Sequence, residues 1–151
     1  MNNIEIENAE LIMPFRNFSG KPSKFNKEGD RNFAVYIPDD LAEQLIADGW
    51  NIKRTNDDRA YLNVSVKYAF RPPEVKVGTN PRKMKPISEE TIGELDWADI
   101  AKVDLSIRPR TYDVNGKQGI KAYLSEMYVI INKSSFAERY STEDVDDDMP
   151  F

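Results

Sequence analysis

Residues 60–70, AYLNVSVKYAF, alternate without a break. Leu62, Val64, Val66, Tyr68 and Phe70 fall on one side of an extended chain. Tyr61, Asn63, Ser65, Lys67, Ala69 and then Arg71 fall on the other. Such a period-two segment satisfies both sides only as a strand with one face on a core, so this chain must build a sheet. Pro72-Pro73 ends the segment, because proline cannot donate to a ladder. A second alternation over 100–113 sets Val103, Leu105 and Ile107 inward, with Lys102, Asp104, Ser106, Arg108, Arg110 and Tyr112 outward. Asn115-Gly116 then signals a type I′ hairpin and predicts that 119–132 folds back on that strand. The returning segment carries apolar residues at both parities toward its end; Lys121 and Tyr123 are placed outward.

The remaining segments fill in around these strands. Residues 4–13 open with alternating Ile4 and Ile6 and read as a strand, as do 31–37 and 73–78. Residues 15–30, rich in Gly, Asn and Ser, read as a long loop. Pro38-Asp39-Asp40 opens a helix that runs to about Trp50, with Asp39 or Asp40 as N-cap, Gly49 near the end and an apolar stripe of Leu41, Leu45 and Ile46. Residues 79–99 are an irregular excursion with one helical turn. The expected class is mostly β with one or two helices, an OB-fold-like Greek-key β-barrel, with a β-sandwich as the main competitor. A domain over 1–135 would be followed by a flexible, disordered linker and acidic tail over 136–151.

The 151 residues contain neither cysteine nor histidine. Disulfides, thiolate sites, histidine-based acid–base catalysis and the usual zinc sites are thereby excluded. No cofactor or metal is expected, and neither is an enzyme. No apolar run approaches the length of a membrane span, and the first residues do not form a signal peptide, so the expectation is a cytoplasmic protein without a membrane partner. Taken as a whole-chain value, the net charge of −5 opposes binding to nucleic acid. Residues 143–151, EDVDDDMPF, hold five of the 26 acids and no base, which leaves 21 acids and 21 bases before them. Residues 53–85 carry nine Lys/Arg against three acids. The body is neutral with basic stretches, and the acidity is concentrated at one end.

The outward sides of the predicted strands interleave cations and aromatic rings: Tyr61, Lys67 and Arg71 on one, Arg108, Arg110 and Tyr112 on the next, Lys121 and Tyr123 on the third. The 15–30 loop and its exit add Arg16, Phe18, Lys21, Lys24, Phe25 and Arg31. Single-stranded nucleic acid suits such a surface, since cations track phosphates while ring faces stack bases without reading sequence. For any one of these residues, a solvated charge or a core ring is the competing reading.

The last residues, DVDDDMPF, resemble the acidic tip of bacterial single-stranded DNA-binding proteins, with Asp146, Asp147, Asp148, Pro150 and Phe151 matching and Met149 in place of an isoleucine. The resemblance implies a docking tail for replication and repair proteins, in which the terminal Phe enters an apolar pocket and its carboxylate meets a basic residue. As a whole the chain resembles phage-type single-stranded DNA-binding proteins. That resemblance implies single-stranded DNA as partner, roles in phage DNA replication, recombination and repair, and a monomer or homodimer in the cytoplasm of a bacterial host. The short linker departs from the bacterial pattern, so the tetramer of the bacterial proteins is not carried over. Three rivals compete: a magnesium-dependent nuclease built on Asp30, Asp39, Asp40, Asp57, Asp58, Asp96, Asp99 and Asp104, an adaptor that uses only the tip, and a strand-annealing protein.

Overall fold

The computed structural model describes residues 2–24, 26–69 and 71–132; Phe25 and the linker and tip expected over 136–151 lie outside them. Among the described residues there are nine strands, one α-helix and one 3-10 turn. The strands are β1 (Ile4–Ile6), β2 (Leu11–Asn17), β3 (Arg31–Tyr36), β4 (Lys53–Arg54), β5 (Ala60–Val66), β6 (Glu74–Gly78), β7 (Met84–Pro86), β8 (Ile100–Val114) and β9 (Lys117–Ile131). Helix α1 (Asp39–Asp48) lies between β3 and β4, and the 3-10 turn spans Ile92–Asp96. This is the mostly-β architecture expected, with the helix between strands.

Neighbouring strands run in the order β1-β8-β9-β5-β3-β2, with β4 added to β5, β6 to β9 and β7 to β6. All pairings are antiparallel except those of β9 with β5 and with β6. Among the described residues, hydrogen bonding does not close the sheet: β1 and β2 are the ends of the path. The segment expected as one strand over 4–13 is broken at 7–10, where adjacent residues serve opposite ends of the sheet. Ala9 N–H donates to the Val103 carbonyl at 2.7 Å, and the Glu10 carbonyl accepts from Tyr36 N–H at 3.0 Å. One bent run of chain thus joins both ends around a shared core, a partly open form of the Greek-key barrel. The core draws on Ile4, Leu11, Phe33, Val64, Val75, Leu105 and Met127 from seven strands.

β9 changes parity. Ile120, Ala122 and Leu124 are buried, and then Met127, Val129 and Ile131. Ile107 pairs with Leu124 but Ser106 with Glu126, so Ser125 is the extra residue of a β-bulge. Apolar residues at both parities are therefore one continuous inner face. At the hairpin Asn115 has φ 52° and Gly116 φ 80°, the left-handed pair that a type I′ turn requires.

α1 is capped differently from the expectation. Pro38 occupies the N-cap position without a side-chain bond, and Asp39 and Asp40 lie in the first turn, where their charge favours the positive end of the helix. Gly49, at φ 103°, ends the helix, and Trp50 N–H bonds back to the Leu45 carbonyl at 2.9 Å. Ala42 and Leu45 are buried, whereas Ile46 is exposed and lies off the packed stripe.

The expected loop over 15–30 shortens to 18–30, because β2 extends to Asn17. Its start is clamped: the Asp96 carboxylate accepts from Phe18 N–H at 2.6 Å, Ser19 N–H at 3.2 Å and the Ser19 hydroxyl at 2.6 Å. The clamp seats Phe18 in the core, fully buried and stacked on Phe33 at 5.0 Å between centroids. Phe18 is therefore a packing residue, in correction of its placement among the stacking aromatics.

Candidate nucleic-acid interface

The register of the sheet lines up one polar row across five strands. Arg108 of β8 lies opposite Tyr123 of β9, Tyr123 opposite Ser65 of β5, Ser65 opposite Asn32 of β3, and Asn32 opposite Asn17 of β2. All five belong to the outward parity, so they share the side turned from the core. At adjacent ladder positions Arg110 lies opposite Lys121 and Tyr112 opposite Gly119. The Tyr112 ring lies over Gly119, in space that a Cβ at that position would occupy.

Tyr123 is the centre of the charge arrangement. The Arg108 guanidinium lies 5.7 Å and the Lys121 ammonium 5.5 Å from its ring centroid. Arg108 also lines a groove of about 440 Å³ with Arg71, Pro72, Pro109, Ser125 and Asn3, which brings two guanidinium groups to one polar depression. Among the described residues, Arg71, Arg108, Arg110 and Lys121 have no carboxylate partner. Arg31, Arg54, Arg59, Lys67, Lys76 and Lys102, by contrast, each lie 3.1–3.8 Å from a carboxylate. Unpaired cations beside a half-exposed ring can neutralise phosphates while the ring takes a base.

Tyr61 continues this outer side along β5, four residues from Ser65 or about 13 Å. It lies between Tyr36 of β3 and Lys53 of β4. Tyr36 in turn lies under the Arg59 guanidinium at 3.5 Å, and Glu10 holds Arg59 at 3.2 Å. Lys67 borders the row at the other end of β5, bonded to Asp30 at 3.2 Å. The 18–30 loop flanks the β3 end, where Asn32 Nδ2 donates to Asn26 Oδ1 at 2.9 Å.

Comparison with known proteins gives the family and the fold. A family model described as "Putative phage ssDNA-binding domain" matches residues 1–149. The chain belongs to the phage ssDNA-binding domain family. Among solved structures, the single-stranded DNA-binding protein from bacteriophage Enc34 in complex with ssDNA matches with TM-score 0.59 at 12% identity, covering 89% of each chain. A C-terminal truncation of the Enc34 protein matches with TM-score 0.59 at 12% identity, over 88% of this chain and 87% of that one. A third Enc34 structure matches with TM-score 0.57 at 13% identity, over 95% and 88%. At such identities the likeness is one of fold. No curated protein matches the sequence.

In this member of the family, not every residue expected at the interface reaches it. Arg71, Arg108, Arg110, Tyr112, Lys121 and Tyr123 come together, with Tyr61 and Lys67 at the margins. Arg31 pairs with Val66 on the inner parity, bonds Glu89 at 3.1 Å and lies 5.9 Å from the Tyr68 ring, away from the row. Burial pushes the Tyr68 hydroxyl up to about 12, so this pair is structural. Arg16 donates to the Ala98 carbonyl at 3.2 Å, and burial lowers its pKa against the opposing pull of Asp96. Lys21 lies over the exposed Trp97 ring at 4.2 Å, and Lys24 is exposed in the loop. Phe25 and the tip residues Asp146, Asp147, Asp148, Met149, Pro150 and Phe151 lie outside the described residues.

Alternation sets Asn63 and Ser65 outward, but neither carries a charge or ring that marks it as a nucleic-acid contact. Asn17 and Asn32 enter through cross-strand register, which one sequence does not display. Beyond the Ser125 bulge the same ladders turn acidic: Glu5 and Ser106 align with Glu126 and Glu74. Burial, with Glu126 and Glu74 nearby, raises the Tyr128 hydroxyl pKa above its usual value. The cationic surface therefore has an electrostatic edge at the bulge.

Proposed function

We propose that this chain binds single-stranded DNA, without catalysis and largely without sequence preference, along the outward row centred on Tyr123. The observation that carries the reading is a pair of carboxylate-free cations, Arg108 and Lys121, at the half-exposed Tyr123 ring, with Arg71 beside Arg108 in one groove and Arg110 opposite Lys121 on the ladder. Family membership supports it, as does the ssDNA complex of the Enc34 protein, whose fold this chain shares. Cations track the backbone and rings stack bases, so the bound strand is protected and duplex ends are drawn open by mass action. The setting is phage DNA replication, recombination and repair in the cytoplasm of a bacterial host, with the chain acting as a monomer or homodimer.

The tip completes the proposal. Phe151 offers an apolar ring and a carboxylate on one residue, which suits docking of replication and repair proteins. Its five acids, tethered close to the body, compete with DNA for the cationic row. One titration tests both parts: fluorescence anisotropy of labelled oligo-dT with the full chain and with a chain lacking residues 143–151. Affinity is expected to fall with salt at a log–log slope of about −0.7 per phosphate neutralised. The truncated chain is expected to bind more tightly, most of all at low salt. Absence of binding at low salt would leave the adaptor reading in its place, and equal affinities across the salt series would remove the competition by the tail.

A further inference from the structure

The seam between β5 and β9 holds an opening that the polar row does not fill. β5 pairs with β9 at one position, Ser65 with Tyr123, and the neighbouring contact on that edge of β9 is the parallel bridge between Trp50 and Ile120. Among the described residues, Lys121 and Ala122, between these two contacts, have no register partner on that edge. A groove of about 390 Å³ lies there, at the small end of the roughly 300–1,000 Å³ typical of ligand pockets. Leu62, Ile120 and Ala122 line it with apolar core side chains. Asn51, Asn63, Ser65 and Lys121 supply polar groups, and the Tyr112 ring completes the lining.

We propose that this groove takes one unstacked base of the bound strand and reads its edge. The inference rests on the proposed single-stranded DNA binding and assigns it a base-reading subsite. Stacking on Tyr123 tolerates any base, because every base has a π face. A carboxamide does not, since it offers one donor end and one acceptor end, and bases differ in the pattern they return. Among the described residues, the carboxamides of Asn51 and Asn63 have no hydrogen-bond partner, so both are free to pair with a base edge. The apolar lining suits the ring of a base. Lys121 and Arg110, opposite each other on the adjoining ladder, meet the phosphate at the mouth. Tyr123 is the register partner of Ser65, which itself lines the groove, so a base stacked on Tyr123 places its neighbour at the opening.

The test is a set of anisotropy titrations of the full chain with end-labelled dT, dC and dA homopolymers of equal length at low salt. The wild-type chain is expected to spread the three affinities by about fivefold, a modest preference from one edge-reading position on an otherwise sequence-tolerant row. The N51A/N63A double variant is expected to compress that spread below about twofold while still binding all three through Tyr123 and the cations. Both positions are exposed, and a second pair, N51S/N63S, checked by thermal melting, guards against a folding defect. Self-stacking of dA gives a spread that survives in the variants, so a spread unchanged by the double substitution overturns the subsite. A wild-type spread below twofold, or an equal loss for all three homopolymers, overturns it too. Failure to bind any of the three overturns the proposed function itself.

Discussion

Replacing Tyr123 with alanine is expected to weaken oligo-dT binding by about five- to 150-fold, the effect of about 1–3 kcal/mol for removing one stacked base. Adding Arg108→Ala is expected to lower affinity further and to make the log–log salt slope shallower by about 0.7, because one phosphate contact is lost. Both side chains point away from the core and are half-exposed, so the melting temperature should change little. Tyr128→Ala is the matched control. Tyr128 is also outward on β9, but it lies beyond the Ser125 bulge with Glu126 and Glu74 near it, and its register partner Lys76 is held by Glu74 at 3.3 Å. Its loss should leave affinity within about twofold, since phosphates avoid that acidic stretch. Equal losses at Tyr123 and Tyr128 would contradict an interface bounded by the bulge. The measurements are anisotropy titration and thermal melting of each variant.

Phe18→Ala is expected to do the reverse. Truncating a fully buried phenylalanine costs about 3–5 kcal/mol, a large share of the roughly 5–15 kcal/mol that holds a domain folded. Urea denaturation should show a large drop in midpoint, because the stacked contact with Phe33 at 5.0 Å is lost and a cavity is left. At low temperature the remaining folded protein should bind oligo-dT within about twofold of wild type, since Phe18 contributes nothing to the outer row. Unchanged stability with lost affinity would return Phe18 to the set of stacking residues.

These two aromatic residues mark where sequence reading succeeds and where it stops. Alternation is a local signal, and it placed Tyr61, Lys67, Arg108, Arg110, Tyr112, Lys121 and Tyr123 on the outer side, because the pleat leaves a side chain one choice of face. Phe18 sits at the start of a Gly- and Asn-rich loop, where the pleat gives no direction. Its burial depends on Asp96, 78 residues away, holding the loop by its backbone. Arg31 misled for a related reason: grouped with the loop cations, it is instead the first residue of β3, takes the inner parity of that strand and pairs with Glu89. The mixed parity of β9 records the Ser125 bulge, which inserts one residue and changes the face of all that follow. Breadth of the interface was illegible for a simpler reason. A row through Arg108, Tyr123, Ser65, Asn32 and Asn17 is a property of pairing between strands, and four of its five members carry no charge to announce it.

Photocrosslinking with a 5-bromouracil oligonucleotide, followed by peptide mapping of the full chain, tests whether single-stranded DNA lies along the outward row centred on Tyr123. Crosslinks are predicted at Tyr123 in β9, with a second set at Tyr61 in β5. Crosslinks confined to Trp97 and the 18–30 loop, or to Tyr128 beyond the bulge, would contradict it.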